Sequence, residues 1–147
     1  MKKWIIMTSI VVLAIVGIVG LRIGTGVKNV LEELADAYAV WGTGELIVAY
    51  LEEKNGMPDS WKDLEPLWDE GFGMHARSGG IESIEDLRAL IDIEFERLDD
   101  YITSVKDRTE PPHLIRPKSG AKTRWEGADT DEIVIYYLKS ERYNQSW

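Results

Sequence analysis

The chain has 147 residues, 17 basic and 26 acidic side chains, two His, no Cys and 44% apolar residues. That length suits one modest domain with an appendage, and the lack of Cys excludes a disulfide scaffold, a thiolate metal site and a Cys nucleophile. A net charge of −9 argues against nucleic acid as a partner, because binding to it rests on neutralising phosphates with Lys and Arg.

The apolar residues are unevenly placed. Residues 4–21 carry no charge, and their only polar side chains are Thr8 and Ser9. Eighteen helical residues span about 27 Å, close to the hydrocarbon thickness of a bilayer. Lys2 and Lys3 precede this run, and Trp4 suits an interfacial anchor. The expectation is a cytoplasmic N-terminus over 1–3, a single-pass transmembrane helix (a signal anchor) over 4–23 that contacts membrane lipid, and an extracytoplasmic domain over 24–147. A cleaved signal peptide is the competing reading, disfavoured by the long apolar core and by Val19 within the best small-residue site. Gly20 and Gly24 form a G-x-x-x-G spacing that is common by chance.

Every acidic residue lies beyond Arg22. Residues 22–110 hold 9 basic and 21 acidic residues, and residues 111–147 hold 6 and 5. Val27, Val30, Leu31, Leu34, Tyr38, Trp41, Val48 and Leu51 recur at helical spacing, which predicts an amphipathic helix over 27–53. Gly42-Thr43-Gly44 within it marks either a kink or a close approach of another backbone. Asn55-Gly56 and Pro58 end the helix. Ser60 and Ser83, each followed by Asp at the third position, open two further helices, the first running to about Leu67. Gly71-Phe72-Gly73 and Gly79-Gly80 bracket an expected mobile loop.

After Ser83 the pattern reads two ways: Ile84, Leu87, Ile91, Phe95, Leu98 and Ile102 fit a helix, whereas Ile91, Ile93 and Phe95 alternate as a strand would. The expectation adopted is a helix over 83–90 and a strand over 91–96. An edge strand follows around His113–Arg116, confined by Pro111, Pro112 and Pro117. Residues 122–126 and 131–139 read as a hairpin, with Ile133 to Leu138 as a strand apolar on both faces. The fold class expected is α+β: the transmembrane helix running into an amphipathic helix packed on a small antiparallel sheet.

The stretch Ala49-Tyr50-Leu51-Glu52-Glu53-Lys54-Asn55-Gly56-Met57-Pro58, followed by Ser60-Trp61 and Leu64, resembles the segment where type IV pilins and type II secretion pseudopilins end their long helix and turn towards a sheet. The resemblance implies a pilin-like shape. The family's Gly-Phe leader junction and early Glu have no counterpart in residues 2–21, where the chain carries no carboxylate before Glu32.

No nucleophile elbow, zinc-binding His-Glu-x-x-His, phosphate loop or dinucleotide fingerprint is present. His75, Ser78 and a carboxylate make a triad only on paper, and a surface-loop His is the ordinary outcome for His75 and His113. Glu126, Asp129, Asp131 and Glu132 are calcium candidates in the expected hairpin turn, a site type the pseudopilin resemblance also implies. Asp and Gly favour solvated turns in any case. No cofactor is expected. Glu65, Asp69 and Glu70, and separately Glu94, Glu96, Asp99 and Asp100, are carboxylate groups of the kind a glycosidase uses, with Trp61 and Trp68 as candidate sugar platforms or, more simply, core. The run Arg116, Lys118, Lys122 and Arg124 either docks on the acidic part of the same chain, the default expectation, or binds anionic lipid headgroups or an acidic partner. The resulting expectation is a structural or protein-interaction component of an envelope assembly, with a protein partner or self-association. The alternative is a small anchored hydrolase acting on envelope polymer.

Overall fold

The computed structural model describes residue 30, residues 33–120 and residues 130–140. Apart from Val30, these belong to one unit beginning at Glu33. Helix α1 covers 33–54, followed by α2 (Trp61–Asp69), α3 (Met74–Ser78), α4 (Ile84–Leu90), β1 (Ile91–Ile93), a 3-10 turn (Phe95–Arg97), α5 (Asp99–Asp107), β2 (Ile115–Pro117) and α6 (Thr130–Lys139). β1 and β2 form a two-stranded antiparallel sheet that pairs Ile91 with Pro117 and Ile93 with Ile115. The fold is α+β, with helices supplying most of the core.

The expected membrane span over 4–23 lies outside the described residues. Among the described residues no helix is long and apolar enough to cross a membrane. The longest, α1, carries Glu33, Asp36, Glu45, Glu52, Glu53 and Lys54, and charges at a bilayer centre cost about 2.5–3.5 kcal/mol each even on the mildest scale. The transmembrane fold class, the signal anchor and the single-pass localisation with a cytoplasmic N-terminus and an extracytoplasmic domain are corrected accordingly.

Three other expectations change. The strand expected over 91–96 stops at Ile93, and Phe95–Arg97 form a 3-10 turn. Residues 131–139 are helical, not a hairpin strand: Asp131, Val134, Ile135 and Leu138 are buried while Tyr136 is 80% exposed. That is the i, i+3, i+4, i+7 stripe of a helix face. The first arm of the hairpin, 122–126, lies outside the described residues. The expected loop between Gly71 and Gly80 contains α3, whose Ala76 is fully buried.

The core joins Leu46, Ile47 and Leu51 of α1 to Leu64 of α2, Leu87 of α4, Ile91 of β1, Leu98, Tyr101 of α5 and Val134 of α6. Gly42 is where α3 meets α1: a Cβ there would stand 2.4 Å from Ala76 Cβ and 2.8 Å from Ala76 N. α6 docks two positions along, with Ile133 against Gly44 and the Thr130 hydroxyl donating to the Val40 carbonyl.

A buried carboxylate ties the second half together. Asp131 Oδ1 accepts from the Tyr101 hydroxyl and from Leu114 N–H at 3.4 Å, and Oδ2 lies 2.9 Å from His113 Nδ1. One side chain therefore connects α5, α6 and the segment leading into β2. On the surface, Glu94 takes Arg97 Nη1 at 2.8 Å and also pairs with Arg116, while Lys118 Nζ donates to the Arg88 carbonyl at 2.7 Å. Arg116 thus docks on the acidic part of its own chain. Lys122 and Arg124 lie outside the described residues.

The two serine starts are built differently. Ser83 Oγ accepts from Asp86 N–H at 3.1 Å, satisfying one of the unpaired donors of α4. Both hydroxyls donate to the Asp three residues on, Ser83 to Asp86 Oδ2 at 2.7 Å and Ser60 to Asp63 Oδ2 at 3.0 Å, but Ser60 accepts no helix N–H, and the Asp63 carboxylate accepts from Asp59 N–H. Ser83→Ala is therefore expected to lower stability by about 1 kcal/mol in urea denaturation, and Ser60→Ala by about half of that.

Candidate functional site

A groove of about 440 Å³ runs between α1 and the turn after α2. α1 contributes Glu45, Val48, Ala49 and Glu52, an i, i+3, i+4, i+7 stripe with two apolar residues between two carboxylates. The facing wall is Glu70 to Met74. The wall is shaped by the end of α2, where Phe72 N–H donates to the Leu67 carbonyl at 3.1 Å and Gly71 takes φ +99°. This cap needs a left-handed residue, which glycine adopts at no steric cost. It turns the chain so that Phe72 and Met74 stand 43% and 66% exposed beside the groove, unusual for large apolar side chains grouped together.

α3 braces the wall. It has five residues, and its N-cap Gly73 has no side chain to accept from the first-turn N–H groups. Glu45 of α1 supplies the acceptor instead: its Oε2 takes His75 N–H at 3.1 Å, and its Oε1 meets His75 Nδ1. The imidazole also stacks on Trp41, with centroids 3.7 Å apart and planes 8° from parallel. On the other flank, the Arg77 guanidinium lies 4.1 Å from the centroid of the Trp68 ring and donates to the Trp68 carbonyl.

The electrostatics follow the acid surplus. Burial, with Asp63 and Asp59 adding to it, raises the Tyr50 phenol above its usual value. The Lys54 ammonium is raised as well, first by its hydrogen bond to Glu53, with Glu70 among the lesser causes. The end of α1 beside the groove therefore favours positive charge.

The residues singled out by sequence separate as follows. His75 meets a carboxylate, but the Ser78 hydroxyl donates to the Met74 carbonyl at 2.9 Å, so no Ser–His–acid relay forms through it. Glu65, Asp69 and Glu70 are all exposed, and only Glu70 lines the groove. Trp68 is buried under Arg77, and Trp61 packs edge-on against Phe95 at 5.9 Å; both belong to the packing. Glu94 and Asp100 are held by Arg97, whose guanidinium is raised by these hydrogen bonds, Glu94 first. Of the calcium candidates, Asp131 is buried and Glu132 exposed in the first turn of α6, while Glu126 and Asp129 lie outside the described residues. Among the described residues, no group of three His, Asp or Glu side chains could hold a metal ion.

Sequence reasoning passed over the groove itself. Its signal was the Glu45/Val48/Ala49/Glu52 stripe, which has the same period as the core stripe on another face. The turn bearing Phe72 and Met74 gave no periodic signal.

No protein-family model, curated protein or solved structure matches this chain.

Proposed function

We propose that this protein is a protein-interaction domain whose groove between α1 and residues 70–74 captures a peptide segment bearing an apolar side chain flanked by Lys or Arg. The observation that carries this reading is the composition of the groove: Val48, Ala49, Phe72 and Met74 form apolar walls between Glu45, Glu52 and Glu70. Apolar surface supplies affinity, and the carboxylates supply orientation and selection by sign of charge. The chain's own net charge of −9 opposes association of two like-charged copies at an acidic groove, which favours a basic partner over a second copy. A pilin-like shape is compatible with this role, since the long helix provides one wall of the groove.

The test is anisotropy of a labelled peptide with Leu flanked by Lys, titrated with the full chain. Binding is expected to weaken as salt rises. Glu52→Gln combined with Glu70→Gln should weaken it about tenfold, and Met74→Ser about fivefold. Equal binding of a peptide with Glu in place of Lys, or unchanged affinity in the charge variant, would overturn the assignment.

A further inference from the structure

A second, smaller cleft on another part of the domain is lined by two cations. We propose that this cleft, between the C-terminal ends of α5 and α6, binds the phosphoryl group of a free phosphate or a small phosphate monoester.

The cleft measures about 170 Å³, and Arg108, Thr109 and Lys139 line it together with Ser104, Val105 and Ile135. That is room for a phosphoryl group with little else. Val105 and Ile135 form the apolar part of the lining. Among the described residues, no ion pair engages Arg108 or Lys139, although the chain carries 26 carboxylates. Asp107 and Glu110, the neighbouring acids in sequence, do not line the cleft. A guanidinium fork, an ammonium and a hydroxyl around one small space match the several acceptor oxygens of a phosphoryl dianion.

The backbone of Arg108 carries the argument further. It stands at φ +56° as the C-cap of α5, a left-handed conformation that favours glycine. The cap itself is made by main-chain atoms alone: Arg108 N–H and Thr109 N–H both reach the Ser104 carbonyl, the latter at 3.0 Å. The left-handed backbone therefore favours glycine here, and what arginine adds is its charge, which the α5 C-terminus stabilises and which a phosphoryl group would pair with. The C-terminal end of a helix carries about half a negative charge, so the two full positive charges of Arg108 and Lys139 exceed the opposition of the α5 and α6 C-termini.

The same position separates binding from folding. Arg108→Gly removes the guanidinium while relieving the backbone, so its melting temperature should hold or rise. Amide chemical shifts of the full chain, titrated with inorganic phosphate and in parallel with O-phosphoserine, are the readout. Saturable shifts are expected around Arg108, Thr109 and Lys139, with affinity reduced at least tenfold in Arg108→Gly and in Lys139→Gln. Lys106→Gln, on the same helix but outside the cleft, should bind as before. Response to both ligands identifies the phosphoryl group alone as sufficient, and response to O-phosphoserine alone identifies a monoester; each supports the site. No saturable shift with either ligand, shifts spread evenly over the basic residues, or undiminished affinity in a stably folded Arg108→Gly would overturn it. Loss of the peptide groove by Met74→Ser should leave this binding intact, so the two assignments fail independently.

Discussion

Gly42→Ala is expected to lower the stability of the domain by about 2 kcal/mol, seen as a fall in melting temperature of about 4–8 °C. In an exposed helix the same change raises stability by about 1 kcal/mol, because alanine is the better helix former. At Gly42 the sign reverses, since the new Cβ would stand 2.4 Å from Ala76 Cβ and 2.8 Å from the Ala76 backbone nitrogen. Neither atom is the end of a flexible side chain, so α3 must move away as a body. Overpacking of this kind costs about 1–3 kcal/mol or more. The movement also strains the contacts of His75 with Glu45 and Trp41, so peptide capture should weaken along with stability. Gly56→Ala is the control: no atom lies within 4 Å of the position a Cβ would take there, and its effect should stay within about 0.5 kcal/mol. A melting temperature that rises in Gly42→Ala would show that α3 does not pack on α1 at this point.

Asp131→Ala should cost about 3 kcal/mol in urea denaturation. The side chain is 5% exposed and accepts from two groups in the interior, the Tyr101 hydroxyl and Leu114 N–H. Removing it takes the acceptor from the Tyr101 hydroxyl and leaves Leu114 N–H only its 3.3 Å contact with the Tyr101 oxygen, and a buried group left unsatisfied costs about 1–3 kcal/mol. Tyr101→Phe should cost less, about 1–2 kcal/mol, because Asp131 keeps Leu114 N–H and His113. His113 is 79% exposed, so His113→Ala should change stability by less than about 1 kcal/mol. The ordering is the sensitive part of the expectation. Effects in the two variants that simply add in the Tyr101→Phe/Asp131→Ala double variant would show that the hydroxyl and carboxylate do not act as one unit. Hydrogen exchange at the Leu114 amide should accelerate in Asp131→Ala before the Ile115 and Arg116 amides of β2.

Local chemistry made several elements readable from the sequence. The helical period from Leu34 to Leu51, the stop at Asn55-Gly56 and the serine starts of α2 and α4 all depend on residues within one or two turns of each other. Asn55 does take the left-handed conformation, at φ +56°. The alternation of Ile91, Ile93 and Phe95 marked the start of β1 but not its end, since Phe95 opens a 3-10 turn, and the prolines confined β2 to a short edge.

The tertiary structure decided the rest. Residues 133–138 are continuously apolar apart from the two tyrosine hydroxyls, so a buried strand and a buried helix predict the same composition there. What selects the helix is a packing partner: Gly44 leaves a hollow on α1 for Ile133, and Val40 offers a carbonyl to Thr130. Asp131 looks like a turn residue until Tyr101 and Leu114, distant in sequence, are seen to supply its hydrogen bonds. The five-residue α3 has too little length to stand alone, and its sequence shows no cap because its acceptor, Glu45, comes from another helix. Both proposed sites have the same character. A periodic sequence signal records which residues share a face of one element, whereas a groove or a cleft is the space left between two elements, and its shape exists only once their packing is set.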